Sequence, residues 1–183
     1  MNWDLTHWNW IAIVQIFLSA GLGTAAINGM FGGYREYMER RRKAEHLALC
    51  IAVILEEYGD QCAGVLVRQD IYKMSPGALM PPNLPAYPDD PTAWQSLRKS
   101  LAEQSMNFRR EVAIRQSISK DVIDAGFIEV RTDDFIVSHA AAAIKLAEEL
   151  RLAYGFPIRK SRGIHLLVSR ANEALERDRR VKE

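Results

Sequence analysis

The sequence predicts an all-α protein: one N-terminal transmembrane helix, then a cytoplasmic helical bundle of four to five helices with a proline-rich strap. Three observations predict it. Between Asp4 and Arg35 there is no Asp, Glu, Lys or Arg, whereas the rest of the chain is densely charged. Six of the seven prolines fall between Pro76 and Pro91. The stretches on either side of that cluster carry apolar residues at helical spacing and little strand signal.

The core of the uncharged stretch runs from Trp10 to Phe31, WIAIVQIFLSAGLGTAAINGMF. As a helix it spans about 33 Å at 1.5 Å per residue, enough for a hydrocarbon layer about 30 Å thick. Lipid offers a bare peptide group no partner, so a helix is the form that crosses here. Trp3, Trp8 and Trp10 crowd one end, and Phe31, Tyr34 and Tyr37 the other, as amphipathic rings do at the two interfaces of a bilayer. Arg35, Arg40, Arg41, Arg42 and Lys43 follow the span, and no Lys or Arg precedes it. This bias predicts an N-terminus outside and a C-terminal domain in the cytoplasm, on a single-pass protein of the inner (plasma) membrane. A cleaved signal peptide carries its positive charge ahead of the apolar run, so an uncleaved anchor fits better. Gln15, Asn28 and the glycines leave the span only moderately apolar. A helix buried in the protein of a larger assembly is therefore the rival reading.

Gly21, Ala25, Gly29 and Gly33 recur every fourth residue. They lie on nearly one helix face, which lets another helix approach closely. The expected partners are the lipid bilayer and either a second copy of the chain or another membrane protein. The five basic residues, diluted by Glu36, Glu39 and Glu45 to a net +2 over residues 35–45, are read as the topology and headgroup anchor.

Four segments follow: 1–34, the N-terminal tail and transmembrane helix; 35–73, the basic juxtamembrane segment and a long central helix; 74–92, the strap; and 93–183, the remaining helices. In the central helix, LALCIAVIL (Leu47 to Leu55) is apolar without interruption, too short for a second crossing and expected to be buried all round. Leu79, Leu84, Tyr87 and Trp94 are expected to pack the strap across the bundle. Asp90 or Thr92 can cap a helix beginning near Ala93. Ser105–Asn107 is a candidate break in the helical stretch that Gly126 ends. Thr132 or Asp133 caps an amphipathic helix with the stripe Ile136, Ala140, Ala143, Ile144, Ala147, Leu150 and Tyr154, stopped by Gly155. The Ala140–Ala143 run predicts one close helix contact. A last helix is expected from about Ser161, with a frayed, mixed-charge tail.

The chemistry in the sequence is thin. A net charge of +1 excludes nucleic-acid binding driven by bulk charge. Two cysteines make neither a disulfide scaffold nor a four-thiolate zinc site. On one helix Cys50 and Cys62 stand about 18 Å apart, so both are expected as free thiols, Cys50 as a small core residue. His139 reads as a structural histidine, the Asp133–Asp134 pair as a helix N-terminus, and Glu56 with Glu57 as a helix emerging into solvent. No nucleotide, hydrolase, kinase or metalloprotease motif is present, so no catalytic residue, metal ligand, cofactor or small molecule is assigned.

HLALCIAVILEEY (His46 to Tyr58) behind one basic-flanked span, with LPAYPDD (Leu84 to Asp90) ahead of a Trp, resembles uncharacterised small single-pass membrane proteins of bacteria and prophages. The resemblance covers about residues 10–100 and implies a location rather than an activity. The function expected is a membrane-anchored interaction or assembly module, in envelope regulation or phage-related exclusion or defence. The alternatives are a structural subunit of a larger, viral or other, assembly and, more distantly, a membrane-bound enzyme.

Overall fold

In the computed structural model, residues 14–15, 22–72, 79–124 and 132–159 are described. Four α-helices lie among them: α1 (Leu22–Tyr72), α2 (Pro91–Ser96), α3 (Lys99–Asp124) and α4 (Thr132–Ala153). No strand occurs among the described residues. The chain divides into two compact units, Met1–Arg42 and Lys43–Glu183.

The first unit contains the opening turns of α1. From Met30 to Arg42 every residue is exposed except Met38, which is half-buried. No proline, cap or turn signal interrupts the sequence between residues 22 and 72, and the helix accordingly runs 51 residues without a break. Of the expected span, residues 10–13 and 16–21 lie outside the described residues. Among the described residues no helix is long and apolar enough to cross a membrane.

In the second unit α1, α3 and α4 share one core. Leu47, Ala48, Ile51, Leu55, Tyr58, Cys62 and Leu66 of α1 are buried against Leu101, Phe108 and Val112 of α3 and the stripe of α4. That stripe is as the 3.6-residue period demands: Ile136, Ala140, Ala143, Ile144, Ala147 and Leu150 are buried and Tyr154 is partly so. Helix α4 runs antiparallel to α3, since Tyr154 meets Arg98 at one end and Phe135 meets Arg115 at the other. It also runs antiparallel to α1, with Arg151 on Glu56 and Ile144 beside Gly59. A Cβ on Gly59 would stand 2.9 Å from Ile144 Cγ1 and 3.7 Å from the Ala140 carbonyl oxygen. The absent side chain of Gly59 and the small Ala140–Ala143 run thus produce the expected close contact.

The strap crosses this core as expected. Leu79 and Tyr87 are buried, and Leu84 and Trp94 pack against the cluster. Gln116 Nε2 donates to the Pro82 carbonyl (2.6 Å) and Trp94 Nε1 to the Pro88 carbonyl (2.9 Å). The Tyr87 ring lies 6.1 Å from that of Trp94, with the Arg109 guanidinium 5.7 Å from its centre.

Asp90 caps α2: its carboxylate accepts from the N–H groups of Thr92 (3.0 Å) and Ala93 (3.1 Å), and Pro91 takes the first helical position. The helix therefore begins two residues ahead of Ala93. At the other end, Gly155 adopts a left-handed φ of 74°. Phe156 N–H then bonds the Arg151 carbonyl (2.8 Å) and Gly155 N–H the Leu152 carbonyl (3.3 Å), a Schellman ending that a Cβ would strain.

Two expectations need correction. The break falls at Leu97–Arg98 and not at Ser105–Asn107. Leu97 is extended (φ −69°, ψ 150°), and Tyr154 Oη accepts the Arg98 N–H (3.0 Å) that this kink would leave bare. Ser105 is compatible with the helix because its hydroxyl donates to the Leu101 carbonyl (2.7 Å) inside the core. Nor is Leu47–Leu55 buried all round. Val53 is 37% exposed, and Leu49, Cys50 and Ile54 are half-buried, since α3, α4 and the strap cover only part of the α1 circumference. Gly126 and the expected last helix from Ser161 lie outside the described residues.

Candidate functional site

In the first unit, α1 presents large apolar side chains to solvent. Met30 is 77% exposed, Phe31 65%, Tyr34 62% and Tyr37 61%. Met30, Tyr34 and Tyr37 follow the 4–3 spacing of a single face, and Phe31 widens the stripe to about 120° of the helix. Arg35, Arg40, Arg41, Arg42 and Lys43 are all exposed as well. Arg40 pairs with Glu36 at 2.6 Å, one turn away and in water, a pair that contributes a few tenths of a kcal/mol at most, about 0.3–0.5. Helix geometry alone therefore joins an aromatic stripe to a basic collar, and among the described residues nothing buries the rings.

The association face is described only in part. Gly21 lies outside the described residues, as do Trp3, Trp8 and Trp10. Ala25 and Gly29 fall within α1, and a Cβ on Gly33 would meet nothing within 4 Å. The backbone at Gly33 is thus open to an approaching helix.

Glu56 corrects a further expectation. It follows the apolar run, yet it points inward and is buried, while Glu57 is exposed. Arg151 Nε donates to Glu56 Oε1 (2.5 Å) and its terminal nitrogen to Oε2 (2.9 Å), a bidentate fork. Arg151 also donates to the Pro157 carbonyl (3.3 Å), and the exposed Arg159 stands 3.7 Å from Oε2. The hydrogen bonds to Glu56 raise the Arg151 guanidinium above its already high ordinary pKa. The cluster ties α1, α4 and the segment after α4 together, and its polar atoms are occupied by one another. One sequence clue points to it: Glu56 shares the helical face of Ala52, Ala63 and Leu66, and Arg151 neighbours the Ala147–Leu150 stripe.

Both cysteines are free thiols, but the one in the core is Cys62 and not the expected Cys50. Cys62 is fully buried, with burial pushing its thiol up to about 12, whereas Cys50 is half-buried. On the outer side of α1, Cys50 Sγ lies 3.8 Å from His46 Nε2. His139 is structural, as expected. Its ring centre is 3.9 Å from that of Phe135 and 6.1 Å from that of Phe108, and burial lowers its pKa. Between α3 and α4 an open groove of about 290 Å³ has Phe108 and Leu146 as its floor and Gln104, Glu111 and Lys145 on its rim. It encloses nothing and holds no converging acid–base pair. Among the described residues no three His, Cys, Asp or Glu side chains could jointly hold a metal ion.

The arrangement is that of an all-helical protein with a packed core and an exposed aromatic–basic segment leading into it. Compared with known proteins, the chain matches no family model, no curated protein and no solved structure.

Proposed function

We propose that the chain is a membrane-anchored helical interaction module of the bacterial inner membrane, N-terminus outside and C-terminal domain inside, which self-associates through its N-terminal helix. The observation that carries this reading is the exposed stripe Met30, Phe31, Tyr34 and Tyr37, set immediately before the basic collar on a helix without a break. Rings of this kind are stabilised at the lipid headgroup level, and Lys or Arg beside them are attracted to anionic lipid by about 1 kcal/mol each. Residues 5–29, without an Asp, Glu, Lys or Arg, precede this stripe on the side that enters the hydrocarbon. The Gly21, Ala25, Gly29, Gly33 face lets two such helices approach closely. The packed second unit then serves as the part that meets other proteins in the cytoplasm.

Membrane fractionation with carbonate washing tests the reading. The chain is expected to stay in the membrane pellet, and a lipid-permeable crosslinker is expected to capture it as an oligomer at native expression levels. Release by carbonate as a large soluble particle supports instead a subunit of an assembly whose N-terminal helix is buried in protein.

A further inference from the structure

His46 and Cys50 stand one turn apart on α1, with their donor atoms 3.8 Å from each other. His46 is exposed and Cys50 is half-buried, so both are reachable from solvent. In a tetrahedral zinc site a thiolate sulfur at about 2.3 Å and an imidazole nitrogen at about 2.0–2.1 Å from the metal lie about 3.6 Å from one another. The pair thus already stands within a few tenths of an ångström of that separation, on a helix that fixes both backbones. Helical i, i+4 spacing is itself a common way of presenting paired metal ligands. Lys43, one turn before His46, is turned away: its amino group lies 3.5 Å from Thr92 Oγ1.

Among the described residues two donors stand here and no third, since no group of three ligating side chains exists among them. Zinc takes four. A two-fold axis beside α1 would bring the same pair from another copy into the remaining positions, because an isologous interface presents identical patches to each other. Val53, next on this face, adds apolar contact. Glu57, following at the same spacing, sets like charges across the axis and opposes pairing by apolar contact alone. A cation bound between the copies supplies the attraction that the side chains lack.

We propose that His46 and Cys50 are half of a zinc site that a second copy of this chain completes with the same two residues, an inference that rests on the self-association proposed above. Each thiol loses its proton to solvent as the zinc–sulfur bond forms, and each imidazole binds neutral through a ring nitrogen, so affinity falls as the pH drops. No electron is transferred.

The test uses the full-length chain in detergent micelles, with cobalt(II) as the spectroscopic probe and zinc as competitor. The expected result is a thiolate-to-cobalt charge-transfer band with tetrahedral ligand-field bands, saturating at one metal per pair of chains and lost on adding zinc. Metal that binds only the dimer should tighten dimerisation about tenfold when free zinc stands at roughly ten times its Kd. Cys50→Ser and His46→Ala should abolish the band and the tightening, and Cys62→Ser should keep both. Absence of the thiolate band overturns the proposal, and so does a band that saturates at one metal per monomer. If the chain is dimeric in chelator and shows no band, self-association stands and the zinc site fails. If it is monomeric in every condition with no band, both fail.

Discussion

Glu56 is the residue whose environment departs most from its sequence context. Two charges taken out of water cost several kcal/mol each, which only a well-formed fork offsets, so deleting one partner strands the other. Glu56→Ala is expected to cost about 3–5 kcal/mol in chemical denaturation of the full chain in detergent, against about 0.5 kcal/mol or less for the exposed Glu57→Ala. Equal losses would contradict the buried fork. Gly59 and Gly64 make a second contrast. Alanine gains up to about 1 kcal/mol in helix propensity at either position, but at Gly59 the new methyl meets Ile144 at 2.9 Å. Overpacking costs about 1–3 kcal/mol, so Gly59→Ala should destabilise while Gly64→Ala, with nothing within 4 Å, should stabilise. The thiols should also differ: a disulfide reagent at neutral pH is expected to titrate Cys50 in the native chain and both cysteines only after unfolding, since Cys62 is buried and its thiol is pushed up to about 12. Little of this is legible residue by residue. A local apolar run does not say which side of the helix its neighbours will cover, so the sequence points Cys50 to the core and Glu56 to solvent, whereas the fold leaves Cys50 half-buried and buries Glu56.

At the scale of elements the sequence is far more informative, because period and punctuation are local. The α4 stripe, the Gly155 ending and the Asp90 cap follow from side-chain spacing and from the φ and hydrogen-bonding needs of single residues. The break at Leu97–Arg98 is not legible, since it depends on a hydroxyl from Tyr154, 56 positions away in sequence. Tyr154→Phe should therefore loosen the α2–α3 junction at a cost of about 0.5–1.5 kcal/mol for the lost, solvent-exposed hydrogen bond. Faster hydrogen exchange at Arg98 checks it, and unchanged exchange would argue against the link. Helix α4 also carries a pH dependence. Burial lowers the pKa of His139, so between the folded value and the unfolded value near 6.5 the unfolded chain binds the extra proton. Stability is fully present above about pH 6.5 and declines as the pH falls below it. His139→Gln should flatten that decline, as followed by circular dichroism.

At the scale of the whole molecule the account turns on where the N-terminal helix resides. Composition alone separates an uncharged opening from a charged remainder, and the proposed placement of the first in lipid rests on that contrast. The packed unit needs tertiary contacts to define it, whereas the proposed anchor rests on a one-dimensional pattern of aromatics, small residues and arginines. The most direct measurement of its placement is thiol labelling of spheroplasts with a membrane-impermeant maleimide. It compares a chain carrying Asn2→Cys with one relying on its own Cys50. The account predicts that the thiol introduced at position 2 is modified on intact spheroplasts and that Cys50 is modified only after lysis. Modification of Cys50 before lysis, or recovery of the chain as a dissolved monomer without detergent, would contradict it.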